Sequence, residues 1–329
     1  MIESADGVAS SWRHHYRRLR LHTVKEHSGL PHHPFPADYP RYVPREKVVD
    51  YLVDYARAFD LRPHFGEEAV SITRQPKGWV THCRSGRAFV SPAVVLATGA
   101  NRRPHEPRLP GQDVFRGQVS HSASYRDAQP YAGQRVLVVG MGNTGAEIAL
   151  DLAEQGAHPT LSVRGPVNIV RRDMFGRPTQ MTAIAISRLP PRLADTVARV
   201  LRDLTVGDLR AWGIETPTAS PLRQLREEGR TPVIDVGTLA LIKTGAIAVR
   251  PGISCLTPGG ARFHDGREEA FDAVILATGY HCNVAELFPQ ETIPVDGKGL
   301  PTVVSGAGAL DGLYFAGYDT RQAGGLLRC

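Results

Sequence analysis

The sequence predicts an α/β fold with two units, and three observations support this prediction. With 329 residues the chain is longer than one average domain. Residues 135–155 run from a buried strand through a glycine-rich turn into an apolar helix, which is typical of a βαβ unit and a parallel sheet. Residues 95–99 (VLATG) and 275–279 (ILATG) are nearly identical strand ends. A dinucleotide-binding βαβ unit with a parallel sheet, within an α/β fold, is therefore the expected architecture.

The overall composition favours a folded protein that binds anionic ligands. The apolar fraction of 42% is enough for a sizeable core and argues against bulk disorder. The net charge of +6 favours phosphorylated cofactors and would also suit nucleic acid, although a solvated basic surface is the simpler explanation. We therefore expect no nucleic-acid partner.

The four cysteines are far apart and form no CxxC motif; they are Cys83, Cys255, Cys282 and Cys329. This spacing argues against a disulfide scaffold, a zinc site and a dithiol reductase centre, so no metal site is expected. The first residues lack the apolar core of a secretory signal, and no run of roughly 18 apolar residues predicts a transmembrane helix. A cytoplasmic protein without a membrane partner is the expectation.

The first third of the chain is predicted to be irregular and then to form a helix and strands. Residues 10–44 are rich in Arg, His, Pro and aromatic residues, which indicates irregular structure with short helical turns. Residues 45–59 carry apolar side chains at helical spacing and predict a helix. Strands are expected around residues 69–73, 79–83 and 88–90, and a buried strand at 93–97 runs into Thr98 and Gly99.

The second part of the chain begins with the unit that contains the glycine turn. A strand at 135–139 precedes the turn, and a helix at 146–155 follows it, with Gly156 as its stop. Residues 179–225 are predicted to be helical, with a break at the Pro190–Pro191 pair, and to form a cap or insertion. Further strands are expected at 160–163, 247–249, 273–277 and 312–317.

Residues 140–145 (GMGNTG) match the GxGxxG pattern between a strand and a helix, the context that a dinucleotide site requires. The first glycine permits the tight turn, the second lets the backbone approach a pyrophosphate, and the third allows helix and strand to pack closely. The helix N-terminus then offers N–H groups and a positive dipole to the phosphates. A turn without a ligand is the alternative, and the flanking elements favour the dinucleotide.

The strand after the turn indicates which dinucleotide binds. NAD and FAD sites place an Asp or Glu about 20 residues after the glycines, whereas NADP sites place an Arg near the 2′-phosphate. Here the strand ends at Arg164 without a carboxylate, and Arg171 and Arg172 follow. Because a guanidinium can pair with a phosphate through two hydrogen bonds, this site predicts NADPH. An exposed surface residue is the alternative for Arg164.

Three motifs resemble those of flavin-containing monooxygenases. Residues 115–125 (FRGQVSHSASY) fit the family fingerprint FxGxxxHxxxY and lie just ahead of the GxGxxG, as they do in the family. Residues 276–280 (LATGY) resemble the crossing between the FAD and NADPH domains, and residues 231–237 (TPVIDVG) are similar to a further family segment. The resemblance covers nearly the whole chain and is strongest for the bacterial and plant branch that includes the auxin-forming YUCCA monooxygenases.

The resemblance implies an enzyme with two cofactors, FAD and NADPH. In the family, NADPH reduces FAD, the reduced flavin takes up O2, and a C4a-peroxyflavin transfers one oxygen atom to a small organic substrate. The implied reaction is oxygenation of an amine, a sulfide or a carbonyl compound, with an indole-3-pyruvate-like substrate as one option. The implied partners are this substrate and O2, and a homodimer is the assembly that the resemblance leaves open.

The same resemblance implies which residues serve the cofactors. Asn101 matches a position near the flavin and is the candidate catalytic residue, with a simple loop asparagine as the alternative. His121 is implied to order the linker between the domains rather than to act as a base. The residues implied for NADPH are Gly140, Met141, Gly142, Asn143, Thr144, Gly145 and Arg164, and those implied for FAD are Glu3, Thr98, Gly99, Thr278, Gly279 and Asp319.

The resemblance implies two Rossmann-like, dinucleotide-binding domains, which divide the chain into three segments. Residues 1–125 are the first part of an FAD domain, residues 126–268 are an inserted NADPH domain with the helical segment at about 179–225, and residues 269–329 complete the FAD domain. Relatives begin with a strand and a first GxGxxG and end with a further helix, so the FAD domain is expected to be incomplete and the chain truncated at both ends. Glu3 would then end the second strand.

Two alternatives to the monooxygenase stay open at this point. One is an NADPH-binding remnant without flavin or catalytic activity, which the incomplete FAD domain would suit. The other is a flavoprotein similar to the disulfide reductases, which share the two-dinucleotide fold. That second alternative needs paired cysteines next to the flavin, and the cysteine spacing disfavours it.

Overall fold

The computed structural model describes residues 1–319 and 321. Its α-helices are α1 Ser10–Arg13, α2 Arg45–Ala58, α3 Asn143–Glu154, α4 Thr179–Ile186, α5 Pro191–Val206, α6 Pro221–Glu228 and α7 Thr238–Lys243. Its strands are β1 Ala69–Gln75, β2 Gly78–Cys83, β3 Ala88–Ser91, β4 Val94–Leu96, β5 Arg103–Pro104, β6 Gln118–His121, β7 Arg135–Val139, β8 His158–Ser162, β9 Ile169–Arg171, β10 Asp173–Met174, β11 Arg177–Pro178, β12 Val233–Asp235, β13 Ala248–Arg250, β14 Ile253–Thr257, β15 Gly260–Phe263, β16 Glu268–Ala270, β17 Ala273–Leu276, β18 Tyr280–His281 and β19 Leu313–Phe315.

A five-stranded sheet with the order β13-β8-β7-β17-β6 organises the middle of the chain, and every neighbouring pair in it is parallel. Consecutive residues of a strand point to opposite faces of a sheet. Val136, Leu137 and Val138 are nevertheless all fully buried, so both faces are covered. The predicted α/β fold with a parallel sheet is therefore confirmed.

Two different layers cover the two faces of this sheet. Helix α3 packs on one face, where Val136 and Val138 join the apolar residues of the helix in one cluster. The antiparallel sheet β14-β15-β16 packs on the other face, where Leu137 belongs to a cluster with Phe263. Because β7 is held from both sides, the glycine turn at its end begins from a fixed position.

A second group of strands surrounds the first of the two repeated strand ends. Strands β1, β2 and β3 form an antiparallel sheet, and β4 pairs in parallel with β19 from near the end of the chain. Trp79, Leu96, Leu313 and Phe315 are buried together in their core. This unit is therefore built from two distant parts of the sequence, as the fold prediction required.

The first residues pair with the segment that follows α2. Ile2 forms a parallel bridge with His64, and the Glu3 N–H donates a hydrogen bond to the His64 carbonyl at 2.9 Å. The His64 N–H in turn donates to the Met1 carbonyl at 2.9 Å. This is the pairing that a strand end would make, which agrees with the position predicted for Glu3.

Most predicted elements lie where the sequence indicates them. The helix predicted at 45–59 is Arg45–Ala58, and the helical break lies at Pro190, the N-cap of α5. The helix predicted to begin at Ala146 begins at Asn143 instead. Its start moves because Gly142 has an extended backbone and is itself the N-cap, so the helix begins inside the glycine motif.

The parallel sheet extends beyond the range 126–268 predicted for the inserted domain. Strand β6 (Gln118–His121) precedes that range, and β17 (Ala273–Leu276) follows it. All four residues of β17 are buried because this strand lies inside the sheet, between β7 and β6. The second repeated strand end therefore belongs to the same sheet as the glycine turn.

Candidate functional site

The three glycines of the turn at 140–145 have three different surroundings. Gly140 has a φ of +104°, and a Cβ there would lie 2.8 Å from the Ala277 carbonyl oxygen. A Cβ on Gly145 would lie 2.0 Å from the Gly140 carbonyl oxygen, which no side chain tolerates. A Cβ on Gly142 would meet no atom within 4 Å. The first and third glycines are thus required by packing, and the second faces open space that a phosphate group can enter.

The other residues of the motif position the turn. The Asn143 side chain donates to the Pro232 carbonyl at 3.1 Å and accepts from the Ile234 N–H at 2.7 Å. Met141 is buried in the core beneath the turn, and Thr144 is half-buried in the first turn of α3. These contacts fix the helix N-terminus, whose first N–H groups point toward the space beside Gly142.

Arg164 lies two residues beyond the end of β8, next to the turn. Its side chain is exposed, and within the described residues it has no ion pair or hydrogen bond. It lines a cavity of about 610 Å³ that runs along the edge strand β13. The same cavity is lined by Trp212, Asp265 and Arg267. A free guanidinium at the rim of a cavity of this size is suited to an anionic ligand.

The first repeated strand end forms a polar contact with the last described strand region. The Tyr318 hydroxyl lies 3.1 Å from the Thr98 backbone nitrogen and 2.8 Å from its Oγ1. Gly99 has a φ of +80°, and its carbonyl accepts from the Cys282 Sγ at 3.5 Å. The Arg102 Nη1 is buried and makes no hydrogen bond within the described residues, although it lies 4.0 Å from the Glu286 Oε2. A buried donor without an acceptor is the observation expected where a ligand supplies one.

Asn101 lies on the same loop but outside this contact network. Its side chain is exposed, and it makes no hydrogen bond within the described part of the chain. The catalytic role expected for Asn101 therefore stays a prediction. The neighbouring Arg102 is half-buried, and its buried Nη1 without a hydrogen bond is the clearer signature of a ligand-binding residue. Its position three residues after Gly99, which follows the strand, was the signal in the sequence.

The second repeated strand end is held by two histidines. Thr278 donates its hydroxyl hydrogen bond to the His105 carbonyl, and the His105 N–H donates to the Gly279 carbonyl at 2.9 Å. His121 Nε2 lies 3.1 Å from the same carbonyl, and the Ala123 N–H donates to His121 Nδ1 at 3.1 Å. Because Nδ1 accepts, Nε2 must carry the proton, and both ring nitrogens of His121 are engaged. This geometry supports a positioning role for His121 at the crossing.

The burial of His121 makes stability depend on pH. Burial lowers the pKa of His121 from its ordinary value of 6.5, and the nearby His105 contributes in the same direction, while Glu106 and the Gly279 carbonyl oppose it. The unfolded chain then binds more protons than the folded chain, so stability is full above pH 6.5 and is lost as the pH falls through the folded-state pKa.

We expect the free energy of unfolding to decrease between about pH 7.5 and about pH 5.5, and to decrease less in His121→Gln, which cannot titrate. Urea unfolding followed by circular dichroism measures both values. Burial also lowers the pKa of His15, so His15 contributes the same pH dependence of stability to both proteins. Equal losses in the two proteins would show that His121 is not a source of the dependence.

Glu3 and Asp319, two residues predicted for the FAD site, are both exposed. The Glu3 carboxylate accepts from the Ala5 N–H at 2.9 Å, and the Asp319 carboxylate accepts from the Arg321 N–H at 3.0 Å. Both carboxylates thus accept the backbone N–H of the residue two positions further along the chain. Residue 320 and residues 322–329, with Cys329, lie outside the described residues.

A buried polar cluster on α3 was not predicted. Glu147 and Asp151 are one helical turn apart and both are buried. The Tyr125 hydroxyl donates to Asp151 at 2.6 Å, and His22 Nε2 lies 2.5 Å from a Glu147 oxygen. Two acids spaced by four residues on an otherwise apolar helix were the signal in the sequence. The cluster ties the N-terminal segment and the linker to the helix of the glycine turn.

Three further observations narrow the kind of site. Within the described residues, no helix combines the length and the apolar character needed to cross a bilayer. In the same residues no group of three His, Cys, Asp or Glu side chains is placed to hold a metal ion. The described cysteines, Cys83, Cys255 and Cys282, are free, so they supply no disulfide partner for a reductase-like centre.

Comparisons of the sequence with known proteins give a consistent result. A family model described as flavin-binding monooxygenase-like matches residues 3–293. The rice (Oryza sativa subsp. japonica) indole-3-pyruvate monooxygenase YUCCA1 is 38% identical over 332 residues, which cover 98% of this chain and 80% of that protein. The Arabidopsis thaliana indole-3-pyruvate monooxygenase YUCCA6 is 38% identical over 336 residues, which cover 99% of this chain and 81% of that protein.

Solved structures show the same fold. A flavin-containing monooxygenase from Stenotrophomonas maltophilia superposes with a TM-score of 0.74 at 22% identity, covering 99% of this chain and 85% of that one. A cyclohexanone monooxygenase from Rhodococcus sp. Phi1 bound to NADP+ superposes with a TM-score of 0.64 at 19% identity, covering 95% of this chain and 73% of that one.

Proposed function

This chain belongs to the flavin-binding monooxygenase-like family, and we propose that it uses FAD and NADPH to insert one oxygen atom from O2 into a small organic substrate. It is a flavin monooxygenase by its relatives, and the choice of cofactor, substrate and cellular site is our proposal. The observation that carries it is the glycine turn after β7, with its open Gly142, together with an exposed and unpaired Arg164 that follows the neighbouring strand β8.

We propose that NADPH binds with its pyrophosphate over Gly142 and the N-terminus of α3. The adenosine end would then lie in the cavity next to Arg164, whose volume of about 610 Å³ is within the range of cofactor sites. Arg164 makes no ion pair within the described residues and can pair with a 2′-phosphate through two hydrogen bonds. Arg267 lines the same cavity but is paired there with Asp265 at 3.5 Å, so Arg164 is the arginine that we assign to the phosphate.

FAD is assigned to the region around the two repeated strand ends. Gly99 and Gly279 both have positive φ angles. Because glycine has no side chain, the backbone at these two positions can lie close to a bound cofactor. The buried Nη1 of Arg102 makes no hydrogen bond within the described residues, since Glu286 lies 4.0 Å away, and it would donate to a phosphate or ring oxygen of the cofactor. FAD reduced by NADPH supplies the electrons and the reaction with O2, while these residues bind and orient it and exclude water.

We propose a carbonyl substrate similar to indole-3-pyruvate, because the curated relatives at 38% identity are named for that activity. Amines and sulfides are the second substrate class. Consumption of O2 by the FAD-loaded protein, measured with indole-3-pyruvate and with a tertiary amine, separates the two classes. Faster consumption with the amine would contradict the carbonyl assignment and keep the oxygenase. We place the activity in the cytoplasm, and a homodimer stays a prediction.

The test of cofactor use precedes substrate screening. The chain is purified with FAD, its visible absorption is recorded, and NADPH is then added without oxygen. A bound flavin spectrum that bleaches is the expected result. Protein that binds NADPH but keeps no flavin would contradict the proposal for this chain and would support the NADPH-binding remnant instead.

Arg164→Gln is expected to weaken NADPH binding roughly 30-fold and to leave NADH binding unchanged. The loss of a charge-assisted hydrogen bond to a phosphate is worth about 2 kcal/mol, and NADH lacks that phosphate. The dissociation constants follow from quenching of protein fluorescence. Arg57→Gln, an exposed arginine on α2, is the matched control and should bind both nucleotides normally. Equal weakening of NADH binding and NADPH binding would show that Arg164 does not contact the 2′-phosphate.

A further inference from the structure

Helices α4 and α5 form a hairpin whose outer surface is apolar. Five of the eight residues of α4 are Met, Ala or Ile, yet none of its residues is buried. On α5, Leu193, Val200 and Leu204 follow one another at intervals of seven and four residues, which places them on one helical face. They are 50%, 50% and 73% exposed. The opposite face of α5 is the one that packs, through Ala194, Arg202 and Val206.

Phe175 in the turn between β10 and β11, Met181 on α4 and Leu189 before α5 add to these side chains, and the set is here called the hairpin surface. The Thr205 hydroxyl lies 3.7 Å from the Met174 Sδ, which brings the turn with Phe175 against the end of α5. Phe175 is 81% exposed, the highest value among the large apolar side chains of the described residues. Of the 17 large apolar side chains that are exposed in the described part of the chain, six lie between residues 175 and 204. Such a concentration marks an interaction surface rather than scattered exposure.

The charges around the hairpin surface are positive and unpaired. Arg177, Arg188, Arg192 and Arg199 have no ion pair within the described residues, unlike many arginines of this chain. The two acids of α5 are already engaged, Asp195 with Arg226 at 2.8 Å and Asp203 with the buried Arg202 at 2.9 Å. Residues 175–206 therefore present apolar side chains beside guanidinium groups without counterions.

We propose that the hairpin surface docks the protein on an anionic membrane surface. A bilayer that contains acidic lipids offers both partners at once, an apolar interior for Phe175, Leu193 and Leu204 and phosphate groups for the flanking arginines. A second copy of the chain suits this surface less, because a two-fold contact brings the same arginines against each other. The proposal concerns docking alone and does not rest on the proposed oxygenation.

The test is co-sedimentation of the FAD-loaded chain with large vesicles. Binding is expected to vesicles of phosphatidylcholine with about one-third phosphatidylserine, and not to phosphatidylcholine alone. It should weaken when NaCl rises from about 0.1 M to about 0.5 M, because salt screens the arginines. Absence of binding to the anionic vesicles would overturn the proposal.

Two variants and a matched control locate the contact. Arg192→Gln with Arg199→Gln should lower the partition coefficient roughly thirtyfold, as expected for two arginines near an anionic surface. Phe175→Ser should also lower it, and this exposed turn residue cannot unfold the core. Arg57→Gln with Arg62→Gln removes two exposed arginines from elsewhere and should bind as the parent does. Equal losses in control and variant would refute the assignment to this surface.

Light scattering without lipid tests whether a second copy of the chain, rather than a membrane, covers the hairpin surface. The proposal expects the mass of the chain to be the same in the parent and in Phe175→Ser. A dimer in the parent that Phe175→Ser dissociates, with no binding to vesicles, would show that the surface joins two copies and would overturn membrane docking.

Discussion

Gly145→Ala is expected to destabilise the chain by about 3 kcal/mol, whereas Gly142→Ala is expected to leave stability unchanged and to abolish measurable NADPH binding. The two substitutions add the same methyl group three residues apart. At Gly145 that methyl would lie 2.0 Å from the Gly140 carbonyl oxygen and 3.1 Å from the Ala277 Cβ. Either the turn or the strand end beneath it must move, because Gly140 directly follows β7 and Ala277 directly follows β17, two strands of the parallel sheet.

At Gly142 the same methyl meets no protein atom, and the φ of −91° is one that alanine adopts without strain. Its only effect is to occupy the space that we assign to the pyrophosphate. Urea unfolding measures the first effect, and titration of NADPH measures the second. Gly259→Ala, another glycine with open space around it but far from the site, is the control and should change neither quantity.

The pair of results separates packing from binding. Destabilisation by Gly142→Ala would mean that the open space is needed by the fold. Normal NADPH binding by Gly142→Ala would mean that the nucleotide lies elsewhere, and the cavity beside Arg164 would then need another ligand. Neither outcome depends on catalysis, so the test applies before any substrate is known.

The glycine turn could be predicted from the sequence because its chemistry is local. Three glycines, a strand before them and a helix after them lie within 20 residues, and packing requires the first and third glycines while the second faces open space. Arg164 was predictable for the same reason, since it follows the next strand along the chain. The structure adds that Arg164 is unpaired and lines a cavity, which the sequence could not show.

Contacts between distant parts of the chain could not be predicted in this way. Tyr318 contacts Thr98 across 220 residues of sequence, and no pattern in either segment points to the other. The buried Nη1 of Arg102 is visible only when the burial of its surroundings is known. The sequence did not predict that β17 lies inside the sheet, because the two repeated strand ends look alike. In the structure β4 pairs with β19, whereas β17 pairs with β7 and β6.

Asp151→Ala is expected to destabilise the chain by about 3 kcal/mol, because it leaves the Tyr125 hydroxyl buried without an acceptor. Both residues are buried, and their oxygens lie 2.6 Å apart. Burial, followed by the hydrogen bond to Asp151, raises the pKa of the Tyr125 phenol, so the hydroxyl stays a donor over the whole accessible pH range. Tyr125→Phe removes the donor and leaves the buried Asp151 carboxylate without its hydrogen bond, so it should cost about 2 kcal/mol.

The variant that combines Asp151→Ala with Tyr125→Phe tests whether the two residues are energetically coupled. When both partners are gone, no buried hydroxyl is left unsatisfied, so the combined loss should be smaller than the sum of the single losses by about 1–2 kcal/mol. Urea unfolding of the four proteins measures this coupling. Asp54→Ala, which breaks an exposed pair with Arg57, is the control and should change stability by less than about 0.5 kcal/mol.

Additive losses would mean that the hydrogen bond contributes little and that Tyr125 acts through packing against Tyr16. A measured coupling would instead show that the last residue of the fingerprint at 115–125 fastens the linker to the helix of the glycine turn. The tyrosine hydroxyl is the part that phenylalanine or tryptophan could not replace, since neither places an O–H donor against Asp151. The conformation of the nucleotide site would then depend on a residue outside the glycine motif.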